Sequence, residues 1–129
     1  MKKRFILIAG FLFSVVLFSS CFHDHDISIS VNDDDDVYRM RASFDEDMSD
    51  DVQEVINSHL RKHQSHAFVT VFTDKEITLD NGTRFYIKAK PGRLKIKLDR
   101  DGNPEEGCES VREMCDEIKE VLENRYDNE

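Results

Sequence analysis

Apolar and polar residues recur along the chain with two different periods, and the switches between them outline a fold. Residues 37–44, VYRMRASF, place Tyr38, Met40, Ala42 and Phe44 on one side of an extended chain, which predicts a strand. SDDVQEVINSHLRKH changes to the helical period, with Val52, Val55, Ile56 and Leu60 in one stripe. Ser49 is the expected N-cap there; Asp50 and Asp51 suit the positive end of the helix, and Lys62 and His63 the other end. AFVTVF, residues 67–72, predicts the next strand, and EITLDNGTRFYIKAKPGRLKIKLD predicts a meander of three more.

Parity fixes the registers of that meander, because facing residues of an antiparallel pair point to the same side. A two-residue Asn81-Gly82 loop would set Leu79 against Arg84. A three-residue loop with Gly82 left-handed sets Ile77 against Phe85 and Leu79 against Thr83 instead. A turn at Pro91-Gly92 then pairs Ala89 with Leu94, Ile87 with Ile96 and Phe85 with Leu98, all inward. Pro-Gly favours a type II turn, which suits a tight hairpin less than the primed turns, so a longer loop is a second option there.

The final helix opens on Asn103-Pro104-Glu105-Glu106, an N-cap, a first-turn proline and a capping-box glutamate. It is expected to run to about Arg125, with Cys108, Val111, Cys115, Ile118 and Leu122 towards the sheet. Residues 22–36 lack a sustained period and read as disordered, although DISISV (residues 26–31) alternates and is a candidate edge strand. The fold class expected is α+β: two layers, a mostly antiparallel sheet of about five strands, and two amphipathic helices on one face, all within residues 37–129.

The N-terminus is of another kind. Lys2, Lys3 and Arg4 precede the apolar run FILIAGFLFSVVLF, residues 5–18, whose 14 positions are too few to span a bilayer core needing ~20. Ser19 and Ser20 then lead into Cys21. A basic start, a short apolar middle and a small-residue exit form a secretory signal. With the cysteine in place, residues 1–20 resemble a bacterial lipoprotein signal peptide, with Phe18 where that family usually has Leu. The resemblance implies removal of residues 1–20 and a covalent lipid on Cys21 as the membrane attachment; no other cofactor is expected. Phe22 in place of an inner-membrane retention aspartate points to the outer membrane, and Asp24 and Asp26 resemble the surface-export signal of Bacteroidetes lipoproteins. Residues 21–36, ending in the acidic run Asp33 to Asp36, are then an acidic tether.

Charge narrows the partners. The chain of 129 residues carries −9, and loss of residues 1–20, three basic and none acidic, takes this to −12. This balance argues against nucleic acid as a partner, since its backbone requires a basic footprint. Against this background residues 84–100 hold Arg84, Lys88, Lys90, Arg93, Lys95, Lys97 and Arg100 with Asp99 alone opposing them. Parity sets most of these, with Tyr86, on the sheet face away from the helices, with Lys88 opposite Lys95 and Lys90 opposite Arg93. Such like-charge pairs repel and need an acidic neighbour. Glu76 or the acidic tether is an internal one; an anionic glycan, a lipid headgroup or an acidic protein surface is an external one. The plain alternative is a solvated lysine face that discourages edge-to-edge pairing.

Other chemistry is weaker. His59 and His63, four apart on a helix, with His66 nearby, are candidate metal ligands, but HLRKH lacks the glutamate of the zinc-peptidase motif. Residues 99–106, DRDGNPEE, are rich in carboxylates but put Pro104 and Ser110 where a calcium loop needs Gly and Glu. Cys108 and Cys115 are seven positions apart on one helix, ~10.5 Å of rise, beyond the ~7 Å a disulfide spans, and read as buried thiols. No nucleophile elbow or phosphate loop is present. The expectation is a non-catalytic, lipid-anchored envelope protein that binds a partner through Tyr86, Lys88, Lys90, Arg93, Lys95 and Lys97. The alternative is a metal-binding protein or hydrolase built on the three histidines.

Overall fold

A computed structural model describes residues 27–63 and 65–127. The expected signal peptide and Cys21 lie outside the described residues. The elements run β1 (Ser28–Asp33), β2 (Val37–Ser43), a 3-10 turn (Glu46–Met48), α1 (Ser49–Lys62), β3 (Thr73–Thr78), β4 (Arg84–Lys90), β5 (Arg93–Asp99) and α2 (Glu105–Asp127). The five strands form one antiparallel sheet in the order β1-β2-β5-β4-β3. Two helices pack on one face of it, the α+β architecture that the periods predict.

Strand interiors follow from alternation. Ile87 faces Ile96 and Ala89 faces Leu94, and Ile77 faces Phe85, as parity requires. Burying a side chain of this size is worth ~1.5–3 kcal/mol, enough that a one-residue slip, which turns every one of them to water, is heavily disfavoured. The first meander turn has the expected three-residue form, with Leu79 N–H donating to Thr83 O at 2.8 Å and Gly82 at φ +87°. The second is the tight one: Lys90 pairs with Arg93 directly, so Pro91-Gly92 is the whole loop. Contacts from outside the hairpin hold this otherwise poorly suited turn. Gly92 N–H donates to Ser49 Oγ at 2.9 Å, and Phe44 N–H donates to Gly92 O at 2.9 Å. Gly92 has φ +76°, and a Cβ there would meet Phe44 O at 2.7 Å, so only glycine fits.

The helices bury the predicted stripes. Val52, Val55, Ile56 and Leu60 on α1, and Cys108, Val111, Cys115, Ile118 and Leu122 on α2, belong to one core with the inner faces of the sheet. Both expected caps have other employment. Ser49 is the first residue of α1, with its hydroxyl on Gly92. The Asn103 amide accepts from Arg84 N–H at 2.9 Å and donates to Arg84 O at 3.0 Å, closing the end of β4 as a strand would.

One expectation about strands requires correction. Residues 67–72 form no strand. Val69 is buried, but its backbone is satisfied by Asn57 on α1, and Phe68 and Phe72 stand 60% and 74% exposed. The fifth strand is β1, which overlaps the candidate edge strand DISISV and takes that part of the stretch read as tether into the fold. Ile29 and Val31 pair with Ala42 and Met40, and Ile27 and Ile29 pack against the core. The acidic run consequently ends β1 at Asp33 and forms the β1–β2 turn with Asp34 to Asp36. Asp33 pairs with both Arg100 and Arg112, the latter at 3.4 Å, and Arg100 N–H donates to Asp36 O at 2.8 Å.

Candidate functional site: the outer sheet face

Alternation that sends apolar side chains towards the helices sends the interleaved residues outward, and in β4 and β5 those are mostly cationic. The strand order then decides what they meet. β5 lies between β4 and β2, so each outward residue of β5 has neighbours on both sides. Lys95 pairs with Lys88 on β4 and Arg41 on β2, making a row of three cations across three strands. Beside it Lys97 pairs with Tyr86 and Arg39, and on the other flank Arg93 pairs with Lys90 and Ser43. On β1 the rows end in Ser30, opposite Arg41, and Ser28, opposite Ser43.

Arg39 and Arg41 were not among the expected site residues. Their outward direction is implicit in the alternation of VYRMRASF. That they stand beside Lys97 and Lys95 depends on β2 pairing with β5 across more than fifty residues of chain, which no local pattern encodes. Arg100, by contrast, leaves the basic set, because it turns to Asp33.

The acidic relief lies at one edge. Asp74 on β3 stands opposite Lys88 and accepts a hydrogen bond from the Tyr86 hydroxyl at 2.5 Å, while Glu76, the expected partner, stands opposite Tyr86. That hydrogen bond holds the Tyr86 proton and raises its pKa. Among the described residues no ion pair uses Arg39, Arg41, Lys88, Lys90, Arg93, Lys95 or Lys97. Lys88, Lys95 and Lys97 are half-buried, as is usual for long side chains whose stems can cover apolar surface while the charge stays in water.

An open hollow of about 590 Å³ occupies this face. Arg41, Lys88, Lys90, Arg93 and Lys95 line it together with Ser28, Ser30 and Ser43. Five cations and three hydroxyls supply hydrogen-bond donors without a carboxylate among them, a donor set suited to an anion.

The histidines do not converge. His59 is bonded to Glu117 on α2 and so ties the two helices, His63 ends α1, and His66 is exposed. Among the described residues no group of three or more His, Cys, Asp or Glu is arranged to hold a metal ion. Residues 99–106 form the β5–α2 connection, in which Asn103 donates to Asp99 O at 2.6 Å. Cys108 and Cys115 are free and buried. Burial pushes both thiols up, Cys115 to about 12, despite a hydrogen bond to Tyr38 that pulls the other way. Such thiols stay protonated at neutral pH and are poor nucleophiles.

Compared with known proteins, the chain matches no protein-family model, no curated protein and no solved structure.

Proposed function

We propose that this protein is a non-catalytic binding module that engages an anionic partner through its outer sheet face, carried at a bacterial outer membrane by a lipid on Cys21. One observation carries the reading: Arg41, Lys95 and Lys88 form an unbroken row of like charge on adjacent strands in a chain whose net charge is −9. Such pairs oppose folding. Their retention on the open face is accounted for by a ligand that neutralises them when bound.

Ion-exchange behaviour tests the reading. The full-length protein in neutral detergent is expected to be retained on a sulfated or phosphorylated matrix in spite of its net charge. The variant with Arg41→Glu, Lys88→Glu and Lys95→Glu is expected to pass through. Flow-through of the unaltered protein at low salt overturns the reading. Lipidation has its own test, incorporation of radiolabelled palmitate that is lost in Cys21→Ser.

A further inference from the structure

Resting on that reading of the outer face, we infer that its ligand is a linear acidic polysaccharide, bearing one carboxylate or sulfate per sugar, laid across the strands. The direction comes from the row itself. Arg41, Lys95 and Lys88 succeed one another across β2, β5 and β4, at the ~4.8 Å spacing of paired strands. That repeat is of the order of the length of one sugar residue, so a chain of about four sugars spans the four strands from β4 to β1. Arg93 and Lys90 form a second rank two residues along the strands, ~6.7 Å away, and close the other side of the trough.

The lining of the face discriminates between sources of negative charge. Its cations border a shallow, open hollow of about 590 Å³ and do not line it alone. Beyond Arg41 the donors become uncharged. Ser30, Ser28 and Ser43 continue the trough over β2 and β1, as suits sugar hydroxyls more than a run of phosphates. Asp74, opposite Lys88, ends the cationic row at the β3 side. A bound chain therefore runs from Lys88 towards β1 and leaves over that edge. Tyr86 in the adjoining row adds an aromatic side chain beside the path.

Calorimetric titration of the full-length protein in neutral detergent provides the test. The probes are oligouronates and sulfated oligosaccharides from disaccharide to octasaccharide, neutral dextran oligomers, and vesicles of phosphatidylglycerol against phosphatidylcholine. Affinity for the acidic oligosaccharides is expected to rise with length and level off at about four sugars, the span of four strands at ~4.8 Å each. Arg41→Gln and Lys95→Gln are each expected to weaken binding about tenfold, the effect of one lost charged hydrogen bond. Ser30→Ala is expected to weaken oligosaccharide binding several-fold with the charge unchanged, and dextran is expected not to bind. Length-independent affinity, or indifference to Ser30→Ala, overturns the placement of a sugar chain along the trough. Preference for phosphatidylglycerol with no acidic oligosaccharide bound overturns the polysaccharide and leaves the anion-binding face standing. Absence of binding to every anion, with flow-through on the charged matrix, removes both.

Discussion

The side-chain amide of Asn57 stands to Val69 as a neighbouring strand would, donating to its carbonyl at 2.9 Å and accepting from its N–H at 2.8 Å. Both residues are buried, so these backbone groups have no water to turn to. Asn57→Ala is expected to cost about 2–4 kcal/mol, since it strands a buried donor and a buried acceptor. The loss is measured by urea unfolding, together with amide exchange at Val69, which is expected to accelerate in the variant. A stability equal to that of the parent protein refutes the assignment.

Gly107 lies in the first turns of α2, where alanine is ordinarily about 1 kcal/mol better than glycine. Here the sign is expected to reverse. A Cβ at Gly107 would fall 1.5 Å from Thr83 Oγ1 and 2.6 Å from Thr83 Cβ, and Thr83 is fully buried. Gly107→Ala must push the helix off β4 or tilt it, at a cost of about 2–4 kcal/mol. Adding Thr83→Ala is expected to recover part of the loss. A raised melting temperature in the single variant contradicts the contact.

Alkaline pH is expected to unfold the protein through Cys115 and Tyr38. Burial raises the Cys115 thiol from 9.0 to about 12, and burial together with Cys115 raises the Tyr38 hydroxyl above its ordinary 10.0. Groups raised in the folded state keep protons that the unfolded chain has released, so stability falls as pH climbs. The Cys115 contribution is fully present below pH 9 and is lost between pH 9 and about 12, and that of Tyr38 is fully present below pH 10 and is lost above it. Melting temperatures across that window are expected to decline steeply. Cys115→Ala is expected to start lower at pH 7 because of the cavity, but to decline less. Parallel curves for the two proteins would assign the alkaline loss elsewhere.

Lys95→Glu separates binding from stability. Lys95 has Lys88 on one side and Arg41 on the other, so reversing its charge turns two repulsive cross-strand pairs into attractive ones. The variant is expected to be more stable by about 1 kcal/mol, at ~0.2–1 kcal/mol per pair, while its retention on an anionic matrix falls. Thermal melts at low salt and at high salt check the first part, because screening must erase the gain. Loss of both stability and binding would show that Lys95 serves the fold.

Much of this was legible in the residues, and the reasons differ by element. β4 and β5 are read correctly down to partners such as Ile87 with Ile96, because strict alternation leaves only one parity that buries the apolar set. The helices follow for the same reason at period 3.6. Residues 67–72 mislead because Val69 is indeed buried; the sequence does not disclose that a side-chain amide from α1, and not a strand, satisfies it. β1 is legible only as a candidate edge strand, because its outward serines and the aspartates that follow resemble a solvated linker although Ile27 and Ile29 reach the core. The cationic site was half visible. Lys88 with Lys95 follows from a hairpin, whereas Arg41 joins them only through the strand order.

The attachment of β1 sets how the domain bears load. Its hydrogen-bonded neighbour is β2, and the chain reaches it from residues before Ile27. Tension applied from that side falls first on the Ser28–Ser43 pair and then on each rung in turn. At the far end Asp33 is held by Arg100 and Arg112, the clamp that the pull reaches last. Modest force would peel β1 from its open end and lengthen the connection, taking Ser28 and Ser30 out of the trough while leaving the Arg41, Lys95 and Lys88 row intact. The edge strand is then a mechanical fuse, one that yields before the remaining strands are strained.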